Sequence, residues 1–173
     1  INNAFIFSDS AWVVDGSKQK IYISGKKKNF GGGLIISDSN KKSIFKNVTF
    51  SYLSGLKSNS YDKKNEIFIT TKTAYQSDNG NSYKEEAFVL DKKSVNLNSQ
   101  YILFGSINFF NTKVILKEII FEKISSEDAL NIVSSDFEID KIKFLENLHD
   151  GLDIDFGNGS INRSKFINIG NDA

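Results

Sequence analysis

One short motif, repeated at even spacing, constrains this chain more than any other feature. Asp128-Ala129-Leu130-Asn131-Ile132 returns as Asp150-Gly151-Leu152-Asp153-Ile154 and begins again as Asp172-Ala173, 22 residues apart each time. Between the copies runs a second element, Ile120-Phe121, Lys143-Phe144 and Lys165-Phe166, at spacings of 23 and 22 residues. A fixed period of this length signals a solenoid, in which each repeat buries its apolar face on its neighbours. The third copy stops at Ala173, and the chain opens at Ile1 with neither Met nor a signal peptide. The expectation is a fragment of a longer or processed chain.

Apolar alternation with period two marks the strands. It appears at Ile21-Tyr22-Ile23, Leu34-Ile35-Ile36, Ile44-Phe45, Val48-Thr49-Phe50 and Val114-Ile115-Leu116. It continues at Leu130-Asn131-Ile132, Phe137-Glu138-Ile139 and Leu152-Asp153-Ile154-Asp155-Phe156. Gly, Asn, Asp and Ser bound these runs, and no helical stripe of useful length competes. One rung reads as three short strands. Phe137–Ile139 and Ile142–Phe144 are separated by a turn at Asp140-Lys141; Leu152–Phe156 follows a longer turn at 146–151. This is the pattern of an all-β fold, a right-handed parallel β-helix with rungs of about 22 residues. Phe121, Phe144 and Phe166 are expected to stack inside it, with Phe50 in the same ladder.

The period lapses between Phe50 and Phe121. Residues 57–104 hold two strand-like runs, Glu66–Thr70 and Ala87–Leu90, around Asp78-Asn79-Gly80-Asn81. Asn-Gly between alternating residues is a strong hairpin signal. The reading is a single β-helix domain over 1–173, five or six rungs long, with 57–104 inserted as a hairpin or long loop. An insertion of this kind is either a binding element or a plain surface loop.

Composition removes several function classes. The chain has 22 basic and 21 acidic residues, which argues against nucleic-acid or membrane-surface binding driven by bulk charge. Lys26-Lys27-Lys28 reads as a solvated turn. With no Cys and a single His, His149, neither disulfides, thiolate zinc sites nor multi-histidine metal sites can form. No apolar run reaches the length of a membrane span.

The Asp128-Ala129-Leu130, Asp150–Phe156 and Phe166–Ala173 segments resemble the right-handed parallel β-helices of the pectate-lyase-like superfamily. They are similar in particular to the β-helix segments that accompany CotH-type kinase-like domains in bacterial surface proteins. Gly31-Gly32-Gly33-Leu34-Ile35-Ile36 and Lys42–Phe50 add to the likeness, which covers roughly 11–56 and 105–173. The kinase-like domain is outside this chain, so no ATP chemistry carries over. The resemblance implies a secreted or cell-surface protein of a group that often binds or cleaves polysaccharides.

Asp153 and Asp155 are the foremost site candidates. With Leu152, Ile154 and Phe156 inward, both carboxylates face outward, roughly 6.6 Å apart. Such a pair can act as acid and base on a glycosidic bond or hold Ca²⁺. Asn131 and Val133 hold the matching places one rung earlier, so no third acid extends the pair there, and no Lys or Arg base stands on the strand. Asp128, Asp150 and Asp172 are expected to stack at a turn. Such a column repels itself unless each carboxylate accepts backbone N–H bonds or a cation bridges them. The metal candidates are therefore Asp128, Asp150, Asp153, Asp155 and Asp172, with Ca²⁺ as the ion. Asp153–Ser164 fails the EF-hand pattern, with Gly157, Asn158 and Ser164 at its fifth, sixth and twelfth places. His149 reads as a surface turn residue. Trp12 and Tyr22 either stack on sugar rings or cap the first rung. Asn47, Asn158 and Asn162 head glycosylation sequons, relevant only in a glycosylating source.

The expected function is a non-catalytic secreted or cell-surface scaffold that contacts carbohydrate or mediates assembly. Its partners are a polysaccharide or another protein chain at the open C-terminal end, which would expose strand edges. The alternative is a polysaccharide lyase or glycoside hydrolase with an acidic site on the outward face.

Overall fold

A computed structural model describes residues 6–27, 30–55 and 105–172. It also describes the backbone of the strand residues 60–62, 67–78, 81–92 and 101–103. In chain order the first strands are β1 (Ile6–Ser8), β2 (Val13–Asp15), β3 (Ile21–Ser24), β4 (Leu34–Ser37), β5 (Lys42–Lys46) and β6 (Val48–Ser51). There follow β7 (Ser60–Asp62), β8 (Ile67–Asp78), β9 (Asn81–Lys92), β10 (Tyr101–Leu103), β11 (Gly105–Phe110) and β12 (Lys113–Glu122). The last are β13 (Asp128–Val133), β14 (Asp136–Leu145), β15 (Asp150–Asp155), β16 (Asn158–Asn162) and β17 (Lys165–Ile167). The described residues contain no helix.

The chain divides into two compact units, one made of Ile1–Gly55 and Gly105–Ala173, the other of Leu56–Phe104. In the second unit β7, β8, β9 and β10 pair antiparallel. The β8–β9 register closes at Asp78 opposite Asn81. The predicted Asn79-Gly80 turn lies outside the described residues, as do Glu66, Lys28 and Ala173.

Among the described residues, the strands of the first unit pair parallel. β1, β4, β11, β13 and β15 form one sheet; β2, β5, β12, β14 and β16 form the path of another, with β3, β6 and β17 joined to it. Register repeats the sequence period. Asp128 lies opposite Asp150, Leu130 opposite Leu152, and Phe121 opposite Phe144. Across the 57–104 gap Phe50 still falls opposite Phe121.

The backbone bends at left-handed residues, and these too are in register. One set is Asn47, Glu118, Lys141 and Arg163; a second is Asp38, Asn111, Ser134 and Phe156; a third is Tyr52, Lys123, Glu146 and Asn168. Their φ angles lie between 46° and 57°. An L-residue in this conformation costs about 1–2 kcal/mol. The cost is offset locally because the corner N–H stays in the inter-strand ladder. Asn111 donates to the Val133 carbonyl at 3.0 Å, Ser134 to Asp155 at 2.8 Å, and Glu146 to Ile167 at 2.9 Å. Side chains reinforce the corners from strand to strand. Lys141 Nζ meets Glu118 at 2.7 Å, Lys123 meets Glu146 at 3.7 Å, and Asn111 donates to Asp38 at 2.8 Å.

The predicted turn at Asp140-Lys141 is therefore a kink inside the continuous β14, not a break between strands. Phe156 departs from the inward alternation expected of it. β15 ends at Asp155, Phe156 takes the left-handed corner at φ 54°, and its side chain is 90% exposed. A left-handed residue interrupts period two, so alternation cannot be carried across it.

The core is apolar and layered. Phe50, Phe121 and Phe144 are fully buried, and with Phe166 they stack at centroid separations of 5.1, 5.2 and 4.8 Å. Offset stacking at these distances adds to the burial of each ring. A Cβ at position 151 would approach the Phe166 ring to 3.0 Å and Phe144 to 3.3 Å. Glycine there leaves space for the column, where the preceding strand tolerates Ala129. Truncation in the middle of the stack, Phe144→Ala, is expected to cost about 3–5 kcal/mol. Urea denaturation followed by circular dichroism measures it.

Candidate functional site

Two polar constellations stand out in the first unit. The acidic one arises from a repeated local contact. Gly105, Asp128 and Asp150 are register partners, and so are Asn108, Asn131 and Asp153. On β11, Asn108 accepts the Gly105 N–H at 3.0 Å and donates to the Gly105 carbonyl at 2.7 Å. On β13, Asn131 Nδ2 donates to Asp128 Oδ2 at 2.8 Å and reaches Asp153 Oδ2 at 3.4 Å. Asn108, Asp128 and Asn131 are buried, Asp153 is half-buried and Asp155 is exposed.

Carboxylate oxygens of Glu127, Asp128 and Asp150 lie within 4.8 Å of one another. Burial pushes the Asp128 carboxyl up to about 8; the Glu127 charge adds to this and the Asn131 hydrogen bond opposes it. Asp153 is raised as well, first by burial and then by the neighbouring Asp155 and Asp150 charges. Asp150 accepts the Asp172 N–H at 2.8 Å, so it caps the following segment. Asp172 joins the column through its backbone, while the third carboxylate of the close group is Glu127. The alternation in sequence points to Asp153 and Asp155 and gives Glu127 no mark of its own.

Chemically, three carboxylates this close either share protons or hold a hard cation such as Ca²⁺ through oxygen ligands. Binding through one oxygen each, the three carboxylates supply three of the six to eight ligands that Ca²⁺ takes. Asn131 Oδ1, buried and without a hydrogen-bond partner, stands on the neighbouring amide. A catalytic acid and base need access and a reacting partner. Asp128 is only 1% exposed, and among the described residues no Lys or Arg forms an ion pair with Asp153 or Asp155.

The second constellation lies on the opposite alternation of β5, β12, β14 and β16. While Phe45, Val114, Leu116, Phe137 and Ile139 are buried, the intervening residues face out in rows. Lys42, Ile44 and Lys46 are followed by Lys113, Ile115 and Lys117, then Asp136, Glu138 and Asp140, then Asn158, Ser160 and Asn162. A groove of about 420 Å³ opens in the later rows, lined by Lys117, Glu138, Asp140, Ser160, Asn162 and Arg163. Arg163 grips Asp140 with two nitrogens, Nε to Oδ1 at 2.7 Å and Nη2 to Oδ2. That hydrogen bonding holds the Asp140 carboxyl below its ordinary value and raises the Arg163 guanidinium. None of the groove residues is prominent in a single repeat; they emerge only when three strands, β12, β14 and β16, are aligned.

The remaining candidates sit apart. Trp12 packs against the core and donates from Nε1 to Ser8 Oγ at 3.0 Å. Tyr22 is 67% exposed, with the Lys20 ammonium 5.8 Å from its ring centroid. His149 is exposed. No helix of the described residues is long and apolar enough to cross a membrane. No family model, curated protein or solved structure matches this chain.

The Asp128 shift fixes a pH dependence. Its folded-state value lies above the ordinary 3.8, so the folded chain holds a proton that the unfolded chain releases in this window. Its contribution to stability is complete below about 3.8 and is lost as pH rises toward about 8. Asp128→Asn is expected to flatten the fall in urea midpoint between acid and mildly alkaline pH. A midpoint profile parallel to that of the original chain would contradict this.

Proposed function

We propose that the first unit is a right-handed parallel β-helix acting as a non-catalytic scaffold of a secreted or cell-surface protein, with assembly as its role. The uniformly parallel register and the three left-handed corner sets support the β-helix. The hand follows the general rule for parallel crossover connections. The likeness of the Asp128 and Asp150 segments to pectate-lyase-like and CotH-associated β-helices supports the extracellular setting.

One observation carries the non-catalytic reading. The acids best placed for chemistry are committed to hydrogen bonds within the stack: Asp128 to Asn131 along β13, Asp153 to Asn131 on the neighbouring strand, and Asp150 to the Asp172 N–H. Groups committed in this way stiffen the stack and are poorly disposed to exchange protons with a substrate. The lyase alternative needs a Lys or Arg base beside Asp153 and Asp155, whereas a hydrolase needs only the two carboxylates. Incubation with uronate and neutral polysaccharides is expected to leave their chain length unchanged. Depolymerisation abolished by Asp153→Asn would establish the enzymatic alternative instead.

Carbohydrate contact is a second reading, favoured by the groove at Asp140 and Arg163. Planar carboxylate, amide and guanidinium groups there can meet sugar hydroxyls in pairs. On this reading Arg163→Ala abolishes retention on immobilised glycans. Equal retention of the variant would remove the groove from consideration.

A further inference from the structure

The outward rows of β5, β12, β14 and β16 carry separated charge. Four lysines, Lys42, Lys46, Lys113 and Lys117, occupy two adjacent strands on either side of Ile44 and Ile115. Three acids, Asp136, Glu138 and Asp140, fill the next strand, and the uncharged Asn158, Ser160 and Asn162 the one after. The charged side chains keep much of their exposure: 45% and 58% for Lys42 and Glu138, 58% and 56% for Lys113 and Asp136. Lys42 meets Glu138 at 3.4 Å and Lys113 meets Asp136 at 3.5 Å, which leaves further oxygens and N–H groups of each toward solvent. Lys117 forms no ion pair among the described residues.

We propose that this face docks against the same face of a second copy of the chain, related by a two-fold axis between β12 and β14. The proposal deepens the assembly reading above and rests on it. The argument is charge complementarity. A two-fold at that place exchanges the basic strand β12 with the partner's acidic strand β14. To bring the two faces together the axis lies between them and parallel to the strands, so each strand end meets the same end of the partner strand. Lys117 then falls opposite the partner's Asp140, and Lys113 opposite the partner's Asp136. Both are isologous contacts and each occurs twice. An axis lying along β12 or along β14 instead sets lysines against lysines or acids against acids, which repel. The formal net charge of +1 leaves little overall repulsion to oppose the encounter.

The size of the face sets the strength. Five residues at about 3.3 Å along four strands about 4.8 Å apart give a plane of roughly 300 Å² per copy. A stable interface buries about 800 Å² per partner. The dimer is therefore reversible and dependent on its ion pairs, and exposed pairs weaken as salt screens them.

Sedimentation equilibrium over a concentration series tests this on the full chain. The original chain is expected to dimerise at an ionic strength of about 0.01 M and to dissociate at about 1 M, where the Debye length has fallen from about 30 Å to about 3 Å. Lys113→Glu/Lys117→Glu makes the face uniformly acidic across β12 and β14; Asp136→Lys/Glu138→Lys makes it basic. Each double variant is expected to self-associate at least tenfold more weakly, and an equimolar mixture of the two to restore a dimer. Circular dichroism spectra matching the original chain confirm that both are folded. A monomer at all concentrations in low salt would overturn both this proposal and the assembly reading. An oligomer indifferent to both reversals would overturn this face while leaving assembly through another surface in place.

Discussion

Everything in the first unit depends on parallel strands stacking in register, one segment directly on the equivalent segment of the next. Each strand contributes its N–H and C=O groups to neighbours on both sides, so a corner that broke the ladder would leave buried polar groups unpaired. The left-handed residues resolve this. They turn the chain sharply while keeping the corner N–H bonded to the following strand, as Ser134 does with Asp155. Once corners align, like residues fall on like residues. Apolar positions then form columns, of which the stacked phenylalanines are the clearest.

The same alignment that benefits apolar side chains penalises charged ones. Identical charges stacked at the strand spacing repel, and the chain meets this in three ways. At two corners it sets opposite signs together, with Glu118 below Lys141 and Lys123 below Glu146. On the outer face it groups charge into rows and pairs across them, as Lys113 does with Asp136. In the Asp128–Asp150 column, whose first member is buried and second half-buried, it relies on the Asn131 amide, the Asp172 N–H and a proton held on Asp128 well above the usual carboxylate range. The third solution makes stability depend on pH through the Asp128 carboxyl.

Much of this order is legible in the sequence because period is a one-dimensional property. The 22-residue return of Asp128 at Asp150 announces the register, and Phe121, Phe144 and Phe166 announce the core column. The charged rows are legible as well, though only after four segments are laid side by side. Corner positions are not. Glu118, Lys141 and Ser134 are not residue types that favour left-handed φ, and their conformation follows from the ladder on either side. Phe156 shows the consequence: alternation places it inside, and a corner places it in solvent.

The acidic group divides along the same line. Sequence spacing by itself determines that Asp128 and Asp150 stack and that Asn131 precedes Asp153, since equal spacing in a parallel ladder means equal register. Only the tertiary structure decides that Asp128 is buried, that Asn131 bridges it to Asp153, and that Glu127 rather than Asp172 completes the close carboxylates. Burial and side-chain reach depend on where the corner bends and on which segments pack around it. These are properties of three-dimensional neighbours, which no repeat in one dimension encodes.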